Sequence, residues 1–217
     1  MSAKSDVPSK TDSILVIGAG IFGLSTAIHL AERGHPNVTL LDKQPYEKTL
    51  YSYANGCDAA SADINKIIRS AYGSQKIYQT LSLEAIDTWN TWTQELRRGG
   101  SAVPPGMTSQ DDLWINNGDL SCTDMDDLSE QEKATIRSME SAGYRDTQLI
   151  NNNSRHLRLA TEKGFGSNMQ PFGKAVLGVL DTTGGVAFAD KACRFALHKA
   201  QKFSVSVLPM GRRTEPR

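Results

Sequence analysis

The 217-residue sequence has few cysteines, no excess of either charge and no long apolar run. Cys57, Cys122 and Cys193 are far apart and form no C-x-x-C pair, which favours reduced thiols over a disulfide framework. The 24 basic residues match the 24 acidic ones, and this balance argues against a nucleic-acid or anionic-membrane partner. No segment approaches the roughly 18 apolar residues of a membrane span, and the first dozen residues lack the apolar core of a secretory signal.

Several common kinds of active site are also missing from the sequence. His29, His35, His156 and His198 show no ligand spacing, so no metal site is predicted. The acidic run at 124–127 lacks the glycine and the distal glutamate of a calcium loop. No G-x-S-x-G motif of a serine hydrolase is present.

The first part of the chain reads as one strand–helix–strand unit. Residues 13–17 are a short apolar, β-branched run that predicts a buried strand. Apolar residues then recur at helical spacing from Leu24 to Ala31, and Gly34 is suited to end that helix. Residues 37–42 predict a second buried strand. This order predicts a βαβ unit with a parallel sheet and an α/β fold.

A glycine turn, Gly18-x-Gly20-x-x-Gly23, joins the first predicted strand to the helix. Gly18 permits a tight turn, Gly20 lets a pyrophosphate approach the backbone, and Gly23 lets the helix pack closely on the strand. Asp42 ends the second strand 19 residues after Gly23, at the position where a carboxylate can accept two hydrogen bonds from ribose hydroxyls. The pattern predicts a dinucleotide site that disfavours NADP, since the 2′-phosphate of NADP would meet a like charge.

The rest of the chain predicts a mixture of helices and strands. The clearest helix is 77–98, with Leu81, Ala85, Trp89, Trp92 and Leu96 on one stripe, and Ser129 with Glu132 forms a capping-box pattern. Turn residues 116–119 between two short apolar runs indicate a hairpin. The remaining predictions are helices at 129–142, at 155–162 and after Gly185, and strands at 175–180 and 203–208.

A second group of interest is the segment 63–69, Asp-Ile-Asn-Lys-Ile-Ile-Arg. Lys66 and Arg69 are three residues apart, and we expect them on one side of the segment. An arginine fork suits a substrate carboxylate, and a lysine near a flavin can stabilise the negative charge of its reduced form. From spacing alone, two ordinary surface cations are the better interpretation.

Three stretches together resemble a known family. They are 14–42 with the glycine turn, 65–73 with the tryptophan helix that follows, and 184–201. This pattern is similar to the FAD-dependent amine and amino-acid oxidases of the D-amino-acid oxidase superfamily, in particular the sarcosine, L-pipecolate/L-saccharopine and fructosyl-amino-acid oxidases. The resemblance implies FAD as cofactor, an amine or amino-acid substrate, and O2 as electron acceptor. It implies transfer of a hydride from the carbon beside the amine to flavin N5, release of hydrogen peroxide, and hydrolysis of the imine.

The resemblance also implies roles for particular residues. Lys66 and Arg69 take the catalytic role, in charge stabilisation and carboxylate docking. The residues expected to contact FAD are Gly18, Gly20, Ile21, Phe22, Gly23, Asp42, Lys43, Asp63, Asn65, Lys66 and Ile67. Sarcosine-oxidase-like members have an arginine at the position of Arg69, whereas the fructosyl-amino-acid oxidases combine a lysine at Lys66 with a small residue at Arg69. The subclass therefore stays open.

The predicted organisation is a Rossmann-like FAD-binding domain at 13–98 and 174–208, with a partial α+β substrate domain inserted at 99–173. We expect a disordered leader at 1–12, an unstructured tail at 209–217, and a chain that is truncated relative to the family. Two alternatives are a non-catalytic fragment that binds FAD weakly or not at all, and an NAD-binding protein with the same turn. Full-length members of the family are often peroxisomal, but the final residues here, 214–217, are no peroxisomal address, so the cytosol is the expected location.

Overall fold

The structure, a computed structural model, describes residues 7–64, 66–170 and 176–209. The described strands are β1 (Ile14–Ile17), β2 (Val38–Asp42), β3 (Lys66–Ile68), β4 (Trp114–Ile115), β5 (Asp119–Thr123), β6 (Gln148–Ile150), β7 (Leu177–Asp181), β8 (Gly185–Ala187) and β9 (Ser206–Pro209). The described α-helices are α1 (Ile21–Glu32), α2 (Tyr46–Thr49), α3 (Lys76–Arg97), α4 (Glu130–Ser141), α5 (Ser154–Glu162) and α6 (Ala189–Lys202).

The chain divides into two compact units, each assembled from separate stretches of sequence. Unit 1 takes the described residues of Met1–Ile64, Gln94–Leu113 and Phe188–Arg217, and unit 2 takes those of Asn65–Thr93 and Trp114–Ala187. These limits follow the sheets, because β3 pairs with β8 and both strands therefore belong to unit 2. The functional domains expected at 13–98 with 174–208 and at 99–173 stay a prediction.

Unit 1 contains a three-stranded parallel sheet in the order β1–β2–β9. Helix α1 connects β1 to its neighbour β2, and this is the βαβ unit that the sequence predicts. The last predicted strand is also confirmed, since β9 pairs with β2 from Thr39 opposite Ser206 to Asp42 opposite Pro209. Parallel strands need such crossover connections, because a tight turn can join only antiparallel neighbours.

The core of unit 1 lies where α1 and α6 pack together beside the sheet. Leu24, Ala27 and Ile28 of α1 are buried, as the helical spacing predicts, and α6 buries Phe195 and Ala196. By contrast, Leu15 and Ile17 alternate with Ile14 and Val16 along β1 and are exposed, Ile17 to 76%. This alternation shows that β1 is packed on one face only.

Unit 2 contains two antiparallel sheets of three strands each. In one, β8 lies between β3 and β4; in the other, β7 lies between β5 and β6. A buried cluster that includes Leu149 and Leu180 packs the second sheet against Ala160 of α5. A second cluster joins Ile86 of α3 to Trp114 and Ala187 of the first sheet.

The hairpin predicted around 116–119 is wrong. Trp114 and Ile115 pair with β8, whereas Asp119 to Thr123 pair with β7, so the two strands belong to different sheets. The turn residues carry the chain from one sheet into the next, and the amide of Gly118 donates to the carbonyl of Gly184 at 3.0 Å. Turn chemistry fixes the local bend, but the long-range partners decide where each strand pairs.

Helix α3 buries the C-terminal part of the predicted stripe but not its first turns. Trp92 and Leu96 are buried and Trp89 packs against a buried cluster, as predicted, whereas Leu81 is exposed to 55% and Ala85 is also exposed. Polar side chains take part in the buried face instead, because Gln79 accepts a hydrogen bond from the Ser138 hydroxyl. The apolar pattern alone did not reveal this polar contact with α4.

The ends of the chain lie mainly outside the described residues. The predicted leader is described only at 7–12, which form no strand or α-helix, and the predicted tail at 209–217 is described only at residue 209, the end of β9. Within the described part of the chain, no helix is long and apolar enough to cross a membrane.

The capping box predicted at the start of α4 is confirmed. The Glu132 amide donates to the Ser129 hydroxyl at 3.2 Å, and the Ser129 amide donates to the Glu132 carboxylate at 2.8 Å. These bonds satisfy two amides that the first helical turn leaves without backbone partners.

We therefore expect Ser129→Ala to lower the free energy of unfolding by about 1 kcal/mol, measured by urea denaturation. The matched control is Ser141→Ala at the last residue of α4, where the exposed hydroxyl only donates to the Arg137 carbonyl. We expect the control to change stability by less than about 0.5 kcal/mol. Equal losses in the two variants would contradict a capping role for Ser129.

Candidate functional site

The glycine turn between β1 and α1 has the geometry that its sequence predicts. Gly18 has a φ of 102°, a region that favours glycine, and Gly20 is the N-cap of α1. No side chain caps the first turn of this helix. The backbone amides of Ile21 and Phe22 lie at the N-terminus of α1, where the helix dipole is positive. Such a helix N-terminus is suited to binding a phosphate group.

Gly23 is required by a close approach of two backbone segments. A Cβ atom at this position would lie 1.8 Å from the Gly18 carbonyl oxygen, which is backbone and has little freedom to move. A Cβ at Gly20 would instead meet the Ser61 hydroxyl oxygen at 3.0 Å, which is the end of a rotatable side chain. A side chain at Gly23 would therefore disrupt the backbone of the turn, whereas a methyl group at Gly20 would only displace the Ser61 hydroxyl.

The Asp42 carboxylate ties the end of β2 to this turn. Its Oδ2 accepts hydrogen bonds from the Ala19 amide at 2.7 Å and the Tyr46 hydroxyl at 3.1 Å, and its Oδ1 accepts from the Gln44 amide at 2.8 Å. An ionised carboxylate offers about four acceptor positions. Protein donors take three of them. The expectation that this carboxylate accepts two hydrogen bonds from ribose hydroxyls stays a prediction.

Two stacked tyrosines support the turn from the loop after β2. The rings of Tyr46 and Tyr51 are 3.8 Å apart and nearly parallel, and the Tyr51 hydroxyl donates to the Ala19 carbonyl at 2.8 Å. Burial, followed by the nearby Asp42 carboxylate, raises the pKa of the Tyr46 hydroxyl far above its ordinary value. Tyr46 therefore remains a hydrogen-bond donor to Asp42 at neutral pH.

A buried thiol lies behind the same loop. Burial raises the pKa of Cys193 to about 12, against an opposing hydrogen bond with Ser61. The thiol is therefore protonated at neutral pH and packs as a small apolar group. Cys57 is also buried and free, and Cys122 is free and exposed.

The residues predicted to contact FAD are divided between the two units. Unit 1 holds the glycine turn, Asp42, Lys43 and Asp63, and within it the turn and Asp42 are in direct contact. Ile21 is half-buried, Phe22 is exposed to 88%, and Lys43 and Asp63 are exposed. Unit 2 holds Lys66 and Ile67, and Asn65 lies outside the described residues.

The expectation that Lys66 and Arg69 lie on one side of their segment stays a prediction. Lys66 begins β3, which ends at Ile68, so Arg69 lies just outside the strand. Lys66 is half-buried and Ile67 is exposed to 64%. Arg69 follows the strand directly, and its guanidinium carbon lies 5.4 Å from the centre of the Tyr72 ring.

Arg69 lines a polar cavity of about 450 Å³ within unit 2, together with Asp119, Asp181 and Gln148. Burial raises the pKa of Asp119, and the Asp181 charge raises it further, against the opposing effect of Arg69. This cavity was not predicted from the sequence, because its acidic and amide side chains come from three strands and from α4, where Gln131 and Glu132 also line it, without a shared motif.

The fold of unit 1 and its glycine turn define a dinucleotide-binding protein of the βαβ class. Residues 13–209 match the profile of the family described as FAD dependent oxidoreductase (DAO), and the chain belongs to this family. The expected fold class and the expected cofactor, FAD, agree with this membership.

Two curated relatives match parts of the chain. L-saccharopine oxidase of Schizosaccharomyces pombe is 37% identical over 78 residues, which cover 36% of this chain and 16% of that protein. Peroxisomal sarcosine oxidase of Mus musculus is 29% identical over 184 residues, which cover 85% of this chain and 38% of that protein. The chain therefore spans less than half the length of these relatives.

Solved structures show the same fold. A modified fructosyl peptide oxidase from Aspergillus nidulans is similar with a TM-score of 0.64 and 24% identity, over 92% of this chain and 41% of that one. L-amino acid deaminase from Proteus vulgaris is similar with a TM-score of 0.59 and 15% identity, over 96% and 42% of the two chains.

Gly20 and Gly23, two of the three glycines of the turn, give a matched pair of variants. We expect Gly23→Ala to lower the free energy of unfolding by about 3 kcal/mol, since its Cβ must displace the Gly18 backbone. Gly20→Ala is expected to cost less than about 1 kcal/mol, because the Ser61 hydroxyl can rotate away. Urea denaturation of both variants checks this order, and equal losses would contradict it.

The environment of Asp119 predicts a pH dependence of stability. Its folded pKa lies above the ordinary value, so the folded chain retains a proton that the unfolded chain has already lost as the pH rises above about 3.8. The contribution of Asp119 to the free energy of unfolding therefore falls as the pH rises through this range.

We accordingly expect Asp119→Asn to gain stability relative to the parent chain between pH 4 and pH 7, measured by urea denaturation at each pH. Asp126→Asn changes an exposed carboxylate by the same charge and serves as the control. A parallel pH dependence of Asp119→Asn and the parent chain would show that Asp119 is not destabilised by its surroundings.

Proposed function

We propose that this chain carries the FAD-binding part of an oxidase that acts on the C–N bond of a secondary amine or N-substituted amino acid, with O2 as acceptor. The observation that carries this proposal is the contact of Asp42 with the Ala19 amide in the glycine turn of a chain that belongs to the FAD-dependent family. When bound, FAD supplies the two-electron chemistry that removes hydride from the substrate carbon.

The residues of unit 1 fit the ADP half of FAD. Glycines leave the pyrophosphate free to approach the start of α1, and the Asp42 carboxylate is the proposed acceptor for the ribose hydroxyls. Ile21, Phe22, Gly23 and Lys43 stay candidate contacts. Family membership disfavours the alternative of an NAD-binding protein.

In unit 2, we propose that Lys66 stabilises negative charge on the reduced cofactor and that Arg69 binds the substrate carboxylate. Two observations support this role for Arg69: its side chain is exposed, and it lines a polar cavity. A guanidinium can form two parallel hydrogen bonds with a carboxylate. Asp63, Asn65 and Ile67 stay proposed neighbours of the flavin ring. The cytosolic location also stays a prediction.

A second candidate is a chain that binds FAD weakly or not at all and does not turn over. The short match to longer relatives favours this candidate, because the match covers only 38% of the length of the sarcosine oxidase and 41% of the length of the fructosyl peptide oxidase. The two candidates are separated by the visible spectrum of the purified chain and by peroxide release with sarcosine, pipecolate, saccharopine and fructosyl amino acids.

The FAD proposal predicts a specific effect at Asp42. Titration of the 217-residue chain with FAD, followed by flavin fluorescence, is expected to saturate, and Asp42→Asn is expected to weaken binding by about tenfold or more, since a charge-assisted bond is lost. Asp58→Asn removes an exposed carboxylate from the segment that follows β2 and is expected to leave FAD binding unchanged. Equal binding by the two variants would remove Asp42 from the proposed site.

A further inference from the structure

The backbone of Ala19, inside the glycine turn, is held on two sides by side chains. Its amide donates to Asp42 Oδ2 at 2.7 Å, and its carbonyl oxygen accepts from the Tyr51 hydroxyl at 2.8 Å. Ala19 and Tyr51 are both completely buried. The bond to Asp42 belongs to the dinucleotide motif, whereas the bond to Tyr51 is no part of it. Together the two bonds fix the peptide groups on both sides of Ala19.

The bond from Tyr51 also sets the direction of the next amide. The peptide bond between Ala19 and Gly20 is trans. A trans peptide group is planar, and its C=O and N–H bonds point in opposite directions. Because the Ala19 carbonyl is directed at the Tyr51 hydroxyl, the Gly20 amide is directed away from it. Gly20 is the N-cap of α1, so this amide lies next to those of the first helical turn.

The Gly20 amide is available to a ligand. It donates no hydrogen bond within the part of the chain that the structure describes, and Gly20 is only half-buried. The first amides of α1 are available as well, because a helix leaves them without backbone partners and no side chain caps this one. Unpaired amides at a helix N-terminus fit the oxygens of a phosphate group.

Tyr51 takes its place at the expense of backbone strain. Leu50 and Tyr51 follow each other with φ angles of 51° and 55°, in the left-handed region that residues with a side chain rarely adopt. The stacked ring of Tyr46 and the bond to Ala19 offset this strain. Strained residues persist where their surroundings hold them, and they are concentrated at functional sites. The strain therefore indicates that the fold requires the Tyr51 hydroxyl where it lies.

We propose that Tyr51 is a positioning residue for the pyrophosphate of the cofactor: its hydroxyl orients the peptide group between Ala19 and Gly20 so that the Gly20 amide donates to a phosphate oxygen. Tyr51 itself does not contact the cofactor. Asp42 is the proposed partner of the ribose, so Tyr51 and Asp42 serve different parts of the same nucleotide. The inference rests on the proposed function, because it requires that the glycine turn binds a dinucleotide.

The experiment compares two probes that differ in their phosphate groups. ADP contains adenine, ribose and a diphosphate, and adenosine lacks the diphosphate. Both are titrated into the isotopically labelled 217-residue chain at pH 7, and binding is followed by NMR of the backbone amides. ADP is expected to move the Gly20 amide proton resonance downfield, as a new hydrogen bond to phosphate does, whereas adenosine is expected to leave it in place.

Three variants separate positioning from a general effect on the fold. Tyr51→Phe keeps the buried ring and is expected to weaken ADP binding about tenfold while changing adenosine binding by less than about twofold, since the lost hydrogen bond is to the charged diphosphate. Asp42→Asn is expected to weaken both probes, because both contain the ribose. Tyr53→Phe makes the same change on a tyrosine that is 77% exposed, and this control is expected to alter neither.

A residue that only stabilises the fold would affect the two probes alike. Equal losses for ADP and adenosine in Tyr51→Phe, or no loss for ADP, would overturn the inference. An unmoved Gly20 resonance in the parent chain, or no binding of ADP at millimolar concentration, would do the same without any variant. Where adenosine binds too weakly to compare, the Gly20 resonance decides: it must move with ADP in Tyr53→Phe and stay in place in Tyr51→Phe.

The FAD titration of the same samples is an independent measurement. A parent chain that binds FAD but shows no selective effect of Tyr51→Phe on ADP loses only this inference. A chain that shows the selective effect on ADP but does not bind FAD loses the proposed function instead.

Discussion

The hydrogen bond between the Asp42 carboxylate and the Ala19 amide is the contact on which the rest of unit 1 depends. It joins the end of β2 to the turn that starts α1, and so it sets the distance between the acid and the helix N-terminus. Gly23 also makes this turn possible, because only a residue without a Cβ atom leaves room for the Gly18 carbonyl oxygen. A dinucleotide site needs both a helix end and an acid at fixed separation, and here the protein itself holds them together.

The local parts of this fold could be predicted from sequence, and the long-range parts could not. The βαβ unit and the capping box of α4 follow from spacing over a few residues, and the structure confirms both. The turn near Gly118 has the residues of a hairpin, but the strands on its two sides do not pair with each other. Instead β4 pairs with β8 and β5 pairs with β7, and both partners lie far along the chain. The polar face of α3 was missed because Gln79 is buried through a contact with Ser138, which periodicity cannot show.

In the candidate sites, too, the residues that are close in sequence could be predicted and those brought together by the fold could not. The glycines and Asp42 form a motif whose parts are close in sequence, whereas Tyr46 and Tyr51 have no pattern that marks them as supports of Asp42. The row formed by Asp119, Asp181 and Gln148 exists only through strand register across three strands. Residues that meet within one turn are close in sequence and form a recognisable motif. Residues that meet through strand pairing are far apart in sequence and form none.

The late arrival of β9 has a consequence for the order in which the protein forms. During synthesis, β2 leaves the ribosome early, but its outer partner is made only at Ser206 to Pro209. The strands of both sheets in unit 2 are complete by Ala187. Unit 2 can therefore close its sheets while β2 still has an unpaired edge, which is the state most exposed to mispairing. The strand–helix–strand unit that is easiest to recognise in the sequence therefore gains its third described strand only after the strands of unit 2 have been synthesised.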